Sequence, residues 1–335
     1  MKTILVTGGA GYIGSHNVYL LAKKGYHVII LDNLTRGFRQ CIEFLQQQFP
    51  GQIEYEQIDL LDLNALQEFF KRHEIDAVIH FAAYCSVNEA SEFPEMYYTN
   101  NVMGSLNLIT TMLENNVGDI IFSSSCATYG DSEYLPLDES HPNKPLNAYG
   151  NSKYITELML KHHSRYNVLR YIILRYFNVC GAQEDGLIGD SKRPSFHLMQ
   201  NAVKGALGLE KFEFTYPKVD TPDGSPIRDY VNVMDLASAH VMALEYLDKE
   251  HTSNIFNVGT GTGISVKEIV DKVEEITGKK IEGVTGKTRK GDADKVYASI
   301  DKIRMTIRWK PTHSIEDSVN SLIKWYTSHP HGWEY

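Results

Sequence analysis

Cysteine is scarce and scattered: Cys41, Cys85, Cys126 and Cys180 form no Cys-x-x-Cys and no zinc-like pairing with histidine. Neither a disulfide framework nor a metal site is expected, and a reducing cytoplasm suits such a chain. Positive charge is also short, because 33 Lys and Arg against 42 Asp and Glu leave a formal net charge of -9. That sign repels phosphate backbones and anionic lipid, so no nucleic-acid partner and no membrane partner is expected. A phosphorylated ligand has to be small and met by local donors. Long apolar runs are missing too: MKTILVTGG reaches glycine too soon for a signal-peptide core or a bilayer span, and reads as a first strand. With 42% hydrophobic and 22% charged residues and no internal repeat, the chain is an ordinary globular one, and 335 residues correspond to about two domains.

What is present is an alternation. Short β-branched runs at Thr3–Thr7, His27–Leu31, Ile53–Gln57, Ala77–Phe81, Asp119–Ser123 and Tyr171–Arg175 predict strands. Helical periods at Ile13–Lys24, Ile42–Phe49, Leu63–His73, Glu95–Asn115 and Ala148–Tyr166 separate them. This is the pattern of βαβ units in an α/β fold with a doubly wound parallel sheet (Rossmann). From Gly181 the pattern breaks into GAQEDGLIGDSKRP and YPKVDTPDGSP, long loops of the kind that usually serve function. A helix at Val233–Leu247 and a strand at Ile255–Val258 then return to the sheet. We therefore expect a doubly wound domain over residues 1–180, rejoined by about 229–258, and a smaller mixed domain over 181–228 and 259–335.

Strand one runs into Gly8-Gly9-Ala10-Gly11-Tyr12-Ile13-Gly14 and then a helix. Gly8 suits the tight turn, Gly11 a close approach to pyrophosphate, and Gly14 close helix packing, with the helix N-terminus facing the phosphates. A glycine-rich turn alone would be a weak signal. Here an acid, Asp32, answers it at the end of strand two, placed to bind ribose hydroxyls and to repel a 2′-phosphate, which favours NAD over NADP. Asn33 assists. Arg36 is near enough to meet a 2′-phosphate, although an arginine at a helix start is more often solvent-facing.

Tyr149 and Lys153 stand four residues apart on one predicted helix face, and a nearby ammonium favours phenolate, so the pair is a candidate base. An ordinary amphipathic helix could carry both. Ser123-Ser124-Ser125 shifts the balance, since it follows strand five where a doubly wound sheet lines its crevice. At this point the chain resembles the extended short-chain dehydrogenase/reductase family, and within it the UDP-galactose (UDP-glucose) 4-epimerases. The resemblance runs nearly end to end through VTGGAGYIGSH (6–16), LDNL (31–34), VIHFAA (78–83), NNVMGS (100–105), FSSSCATYGD (122–131), AYGNSK (148–153), LRYFNVCGA (174–182), IRDYVNVMDLA (227–237) and HPHGW (329–333).

The resemblance implies catalytic roles for Ser125, Tyr149 and Lys153. It implies NAD contacts from Gly8, Gly11, Tyr12, Ile13, Gly14, Asp32, Asn33, Asp59, Leu60, Phe81, Ala82, Ala83, Asn101, Ser123, Tyr149, Lys153 and Tyr176. For a UDP-sugar it implies Ser125, Tyr149, Phe177, Asn178, His197, Leu198, Arg228, Arg289, Asp292 and Val296, with the two arginines clamping the diphosphate as guanidinium forks do. It further implies a homodimer joined through the helices Glu95–Asn115 and Ala148–Tyr166. A surface ion pair of Arg228 with Asp229 is the bland alternative, and the Gly/Pro loop around Arg228 favours the functional reading over it.

Departures stand beside these matches. Cys85 replaces a lysine common in the family, and FTYPKVDTPDG (214–224) lacks the usual Phe-Gly pair in register, leaving Phe212 or Phe214 to cover the base. Val296 aligns, within one position, to a gatekeeper for the sugar 2-substituent, which would admit UDP-GlcNAc/UDP-GalNAc; with a shifted register the role falls to Tyr297. The expected reaction is NAD-dependent 4-epimerisation of UDP-glucose and UDP-galactose. A 4,6-dehydratase or a decarboxylase is disfavoured because Ser125-Cys126-Ala127 offers no acid, whereas a UDP-pentose or UDP-glucuronate 4-epimerase stays open. A non-catalytic NAD-binding regulator would need only the sheet and the glycine loop.

Overall fold

The computed structural model describes residues 1–166, 168–216, 218–286 and 293–333. It divides into two compact units: Met1–Gly130 with Pro142–Arg175 and Ala237–Phe256, and Asp131–His141 with Tyr176–Leu236 and Asn257–Tyr335. The excursion Asp131–His141 therefore clusters with the later residues.

Strands β1 (Thr3–Thr7), β2 (His27–Leu31), β3 (Ile53–Glu56), β4 (Ala77–His80), β5 (Asp119–Ser125) and β6 (Arg170–Tyr176), with Asn254–Val258, make one seven-stranded sheet. Its order is Asn254–Val258, β6, β5, β4, β1, β2, β3. Strand β1 pairs in parallel with both β2 and β4, Leu5 opposite Ile29 on one side and Val78 on the other. The chain order reverses between β1 and β4, the place where open sheets of this kind bind ligands beyond the strands' carboxyl ends. Strands β4 and β5 are buried throughout, and their apolar stretches Ala77–Ile79 and Ile120–Phe122 accordingly run without alternation. Leu5, Ile29, Val78, Ile120 and Ile173 meet Phe69, Leu108, Met112 and Leu160 from the helices in one core.

The expected helix Glu95–Asn115 is interrupted. Pro94–Tyr97 gives way to a π-helical turn, Tyr98–Met103, before Gly104–Glu114 resumes. The wider turn carries Asn101, which is buried and hydrogen-bonded off the helix to Tyr84 and Ser152.

In the second unit, helices Leu198–Leu207, Val266–Thr277 and Ile315–Ser328 surround Phe212, Tyr230 and Trp325. Capping boxes at Ser265/Glu268 and Ser314/Asp317 start the last two helices. A small mixed sheet places Ile227–Arg228 between antiparallel Ile264–Ser265 and parallel Lys295–Val296.

The same unit holds a pH-dependent clasp. Asp235 accepts from Thr312 N at 3.0 Å and from His313 N at 3.0 Å, and its Oδ1 lies 2.9 Å from His313 Nδ1, while Glu184 Oε1 is 3.1 Å from His313 Nε2. The bond to Asp235 leads the causes that raise His313 to about 9. A free histidine titrates near ~6.5, so the clasp's contribution is complete below that pH and is lost as pH rises through about 9. After solvent screening we expect it to be worth about 1–2 kcal/mol. Urea unfolding of the parent and His313→Asn at several pH values should show a gap that closes from pH ~6.5 upward; a constant gap would contradict it.

Candidate active site

The glycine loop separates internal from external need. Gly8 has φ +72°, and a Cβ there would lie 2.6 Å from the backbone nitrogen of Ala82. A Cβ on Gly14 would lie 2.2 Å from Gly8 O. Gly11 differs: its φ is -83°, and a Cβ would come no closer than 3.4 Å to the protein. Packing does not require glycine at 11, which leaves room there for a ligand. No side chain caps the helix Tyr12–Lys23 that Gly11 begins. An uncapped N-terminus with an open face fits a dinucleotide diphosphate.

Asp32 accepts from Ala10 N at 3.1 Å and Leu34 N at 2.9 Å; burial pushes its carboxyl up and those amides hold it down. Asn33 Nδ2 donates to Asp59 Oδ2 at 2.9 Å, and Leu60 is buried beside them in sequence, so the expected ribose and adenine group is partly assembled by its own bonds. Arg36 is not solvent-facing as a helix-start arginine would be. Its Nη2 donates to both oxygens of Glu89 at 2.8 and 2.7 Å, and its guanidinium lies 3.9 Å from the centre of the Tyr84 ring. With its charge matched by Glu89, it is poorly placed to offset a 2′-phosphate, which agrees with NAD.

Behind Phe81, Ala82 and Ala83 runs a directed hydrogen-bond chain. Ala82 N donates to Thr7 Oγ1 at 3.4 Å, Thr7 Oγ1 lies 2.7 Å from His80 Nδ1, His80 Nε2 lies 2.8 Å from Ser105 Oγ, and Ser105 donates to Asn101 O. Every link is satisfied if His80 is neutral with its proton on Nε2. Burial first, and Lys153 second, depress His80 to about 3, which keeps it neutral. The Asn101 side chain uses both amide hydrogens on Tyr84 O and Ser152 Oγ and accepts from Tyr84 N and Asn100 Nδ2. Through these bonds it braces Tyr84 and the helix that carries Tyr149.

That helix, Ala148–Tyr166, docks on β5 one residue at a time. Lys153 Nζ donates to Ser123 O at 2.8 Å, and Ser124 Oγ donates to Glu157 Oε1 at 2.6 Å. Ser125 ends the strand, buried, its Oγ accepting from Ala127 N at 3.2 Å. Tyr149, buried one turn before Lys153, sets its ring edge-on to Tyr97 at 6.4 Å. Burial lowers Lys153 to about 8, so it still carries its proton at neutral pH. Glu157 is also clamped by Arg175, whose Nε donates at 2.9 Å, and both side chains are essentially inaccessible to water.

In the second unit Tyr176 and Phe177 are buried and Asn178 is exposed, its amide donating to Asp229 O at 2.9 Å. His197 precedes the helix that Leu198 starts. Asp229 commits its carboxylate to Thr260, Gly261 and Ala298 at 2.7 to 3.2 Å, so the turn takes up its acceptor capacity rather than Arg228. Val296 pairs with Arg228, which puts their side chains on one face of the small sheet. Tyr297 takes the opposite face, where Gly263 has no side chain: a Cβ there would meet the ring at 3.0 Å. Phe212 belongs to the core, with Phe214 edge-on to it at 4.9 Å. Arg289 and Asp292 lie outside the described residues, among which no cluster of metal-ligating side chains occurs.

The profile of the "NAD dependent epimerase/dehydratase family" matches residues 4–259. The chain belongs to that family. It is 40% identical to the UDP-glucose 4-epimerase of Lactobacillus helveticus over 99% of both chains. The UDP-glucose 4-epimerase of Bifidobacterium longum, solved with NAD+ and UDP, superposes with a TM-score of 0.94 at 36% identity, covering 99% of this chain and 100% of that one. The UDP-Glc/GlcNAc 4-epimerase of Campylobacter jejuni superposes at 0.84 with 36% identity, covering 98% and 100%.

As a member of the NAD-dependent family the chain uses NAD, and Gly11, Asp32 and the Arg36–Glu89 pair are compatible with that cofactor. His80, Glu157 and Arg175 were not singled out by the sequence. Glu157 did leave a signal, since it continues the fourfold spacing of Tyr149 and Lys153; His80 is tied to Thr7, 73 residues back, and Arg175 lies on the strand that follows the helix. Among the described residues, no helix is long and apolar enough to cross a membrane.

Proposed function

We propose that this protein is an NAD-dependent 4-epimerase interconverting UDP-glucose and UDP-galactose. The docking of Lys153 and Glu157 on β5, which holds Tyr149 on the same helix face near Ser125, carries this reading. Tyr149 as phenolate takes the proton of the sugar 4-hydroxyl, Lys153 steadies that charge, and Ser125 hydrogen-bonds the same oxygen. Bound NAD supplies the acceptor, and then the donor, of the C4 hydride. Arg228 holds the diphosphate while the 4-keto sugar turns, and Tyr149 returns the proton. Incubating the purified protein with UDP-glucose, UDP-galactose, UDP-GlcNAc, UDP-arabinose and UDP-glucuronate and separating the products tests this; no interconversion of the first two would refute it.

The shared face of Val296 and Arg228 supports Val296 rather than Tyr297 as the gate beside the sugar. Val296→Tyr is expected to cut kcat/KM for UDP-GlcNAc about tenfold or more relative to UDP-glucose. An unchanged ratio would dismiss it.

We also place the protein in the cytoplasm as a homodimer. Tyr98 and Met103 are exposed within the segment Glu95–Asn115 expected to pair with a second copy, and Phe93 is exposed just before it. Light scattering should give twice 38.0 kDa at micromolar concentration; a monomer would count against it.

A further inference from the structure

The segment HPHGW (329–333) has no part in the proposed chemistry, yet its packing is specific. Trp325 stacks on His329 at 4.1 Å and 18°, and Trp333 closes the group edge-on at 5.2 Å from Trp325 and 5.3 Å from His329. The loop from Gln183 to Ser195 lies against these rings. At Gly189 a Cβ would fall 2.4 Å from the Trp325 indole, so the loop backbone rests directly on it. Gly332, at φ +66°, approaches Ser191 as closely, with a Cβ at 2.6 Å.

Hydrogen bonds fasten the same surfaces. Trp325 Nε1 and Tyr326 Oη donate to Asp190 O at 3.2 and 3.1 Å, Trp333 N donates to Ser191 Oγ at 2.9 Å, and Arg193 Nη2 donates to Pro330 O at 3.1 Å. From Asp190 the path continues to the end of the loop. Its Oδ2 accepts from Ser195 Oγ at 2.6 Å, and Ser195 Oγ accepts from His197 N at 3.2 Å. A path of bonds thus joins Trp325 through Asp190 and Ser195 to His197, the residue that precedes helix Leu198–Leu207.

We infer that HPHGW and Trp325 form a latch that fixes loop 183–195 and so presents His197 and Leu198 to the nucleotide of the substrate. This rests on the UDP-sugar reading above. Trp333 is then a positioning residue: its ring packs on Trp325 and His329, on which the loop rests, and a loosened latch weakens nucleotide binding while the chemistry on helix Ala148–Tyr166 is untouched.

The test uses the full chain with its NAD and four proteins: parent, Trp333→Ala, Trp333→Phe and Ser191→Ala. Calorimetric titration with UDP, steady-state kinetics and bound-NAD content are measured for each, with thermal melting to establish folding. Trp333→Ala is expected to raise the UDP Kd and the UDP-sugar KM about fivefold to tenfold, with kcat and NAD content nearly unchanged, and Trp333→Phe to recover most of the loss. Ser191→Ala, which deletes one acceptor, should move the UDP Kd in the same direction and stands in if Trp333→Ala does not fold. Unchanged UDP affinity in folded Trp333→Ala or its stand-in overturns the latch, as does a fall confined to kcat. A parent that binds NAD but not UDP overturns the substrate reading itself, and the latch's ligand with it.

Discussion

Tyr149→Phe is expected to lower turnover of UDP-glucose by about 100- to 10,000-fold, the usual loss when a positioned acid/base is removed. Binding of NAD and UDP should stay close to parental, because the ring keeps its edge-on contact with Tyr97 and only the hydroxyl is lost. The neighbour sets the pH dependence of the parent. Lys153 is charged below about 8 and discharges above it, so its support for the phenolate fades as pH rises through that value. Single-turnover assays on both proteins across pH 6–10 (about the range Lys153 and a free tyrosine span) decide the matter. Parental rates in the phenylalanine variant would remove Tyr149 from the chemistry.

The largest effect on stability is expected at the buried pair beneath that helix. Glu157→Met leaves Arg175 charged with no carboxylate within a site closed to water, at a cost of about 3–5 kcal/mol. Melting should fall on the order of 10 °C. Arg175→Met leaves Glu157 with Ser124 Oγ at 2.6 Å and Lys161 Nζ at 3.6 Å and should cost less. The double variant, with neither charge, is expected to be more stable than either single one, since it restores an uncharged interior. Thermal unfolding of the four proteins completes the cycle, and additive losses would show that the two side chains act independently.

Much of the sheet was legible because its signals are local. Strands β1 and β2 begin and end where their apolar runs do, and β5 and β6 differ from expectation only at their ends. Helix Ala148–Tyr166 was read with its bounds. The π-helical turn was not legible: Asn101 is drawn off the helix by Tyr84 and Ser152, partners 17 and 51 positions away. Arg36 was misjudged for a similar reason, its partner Glu89 being 53 residues on. In the second unit, loops without periodicity give way to contacts across more than a hundred residues, such as Trp325 to Asp190, so only motif matching could point there. Cys85 was noted as a departure, and it packs beside Tyr97 and Tyr149.

Tyr149, Lys153 and Glu157 recur at every fourth position of one helix, yet they answer to different demands. A descendant that no longer turns over sugar has no physical reason to keep the tyrosine. It cannot drop the glutamate without also replacing an arginine on the next strand, 18 residues on. Loss of the first with retention of the third would therefore mark a retired enzyme that still folds, whereas joint loss of Glu157 and Arg175 with Tyr149 intact would mark a rebuilt interior around working chemistry. For distant relatives, this one helix records ancestry and activity on separate residues.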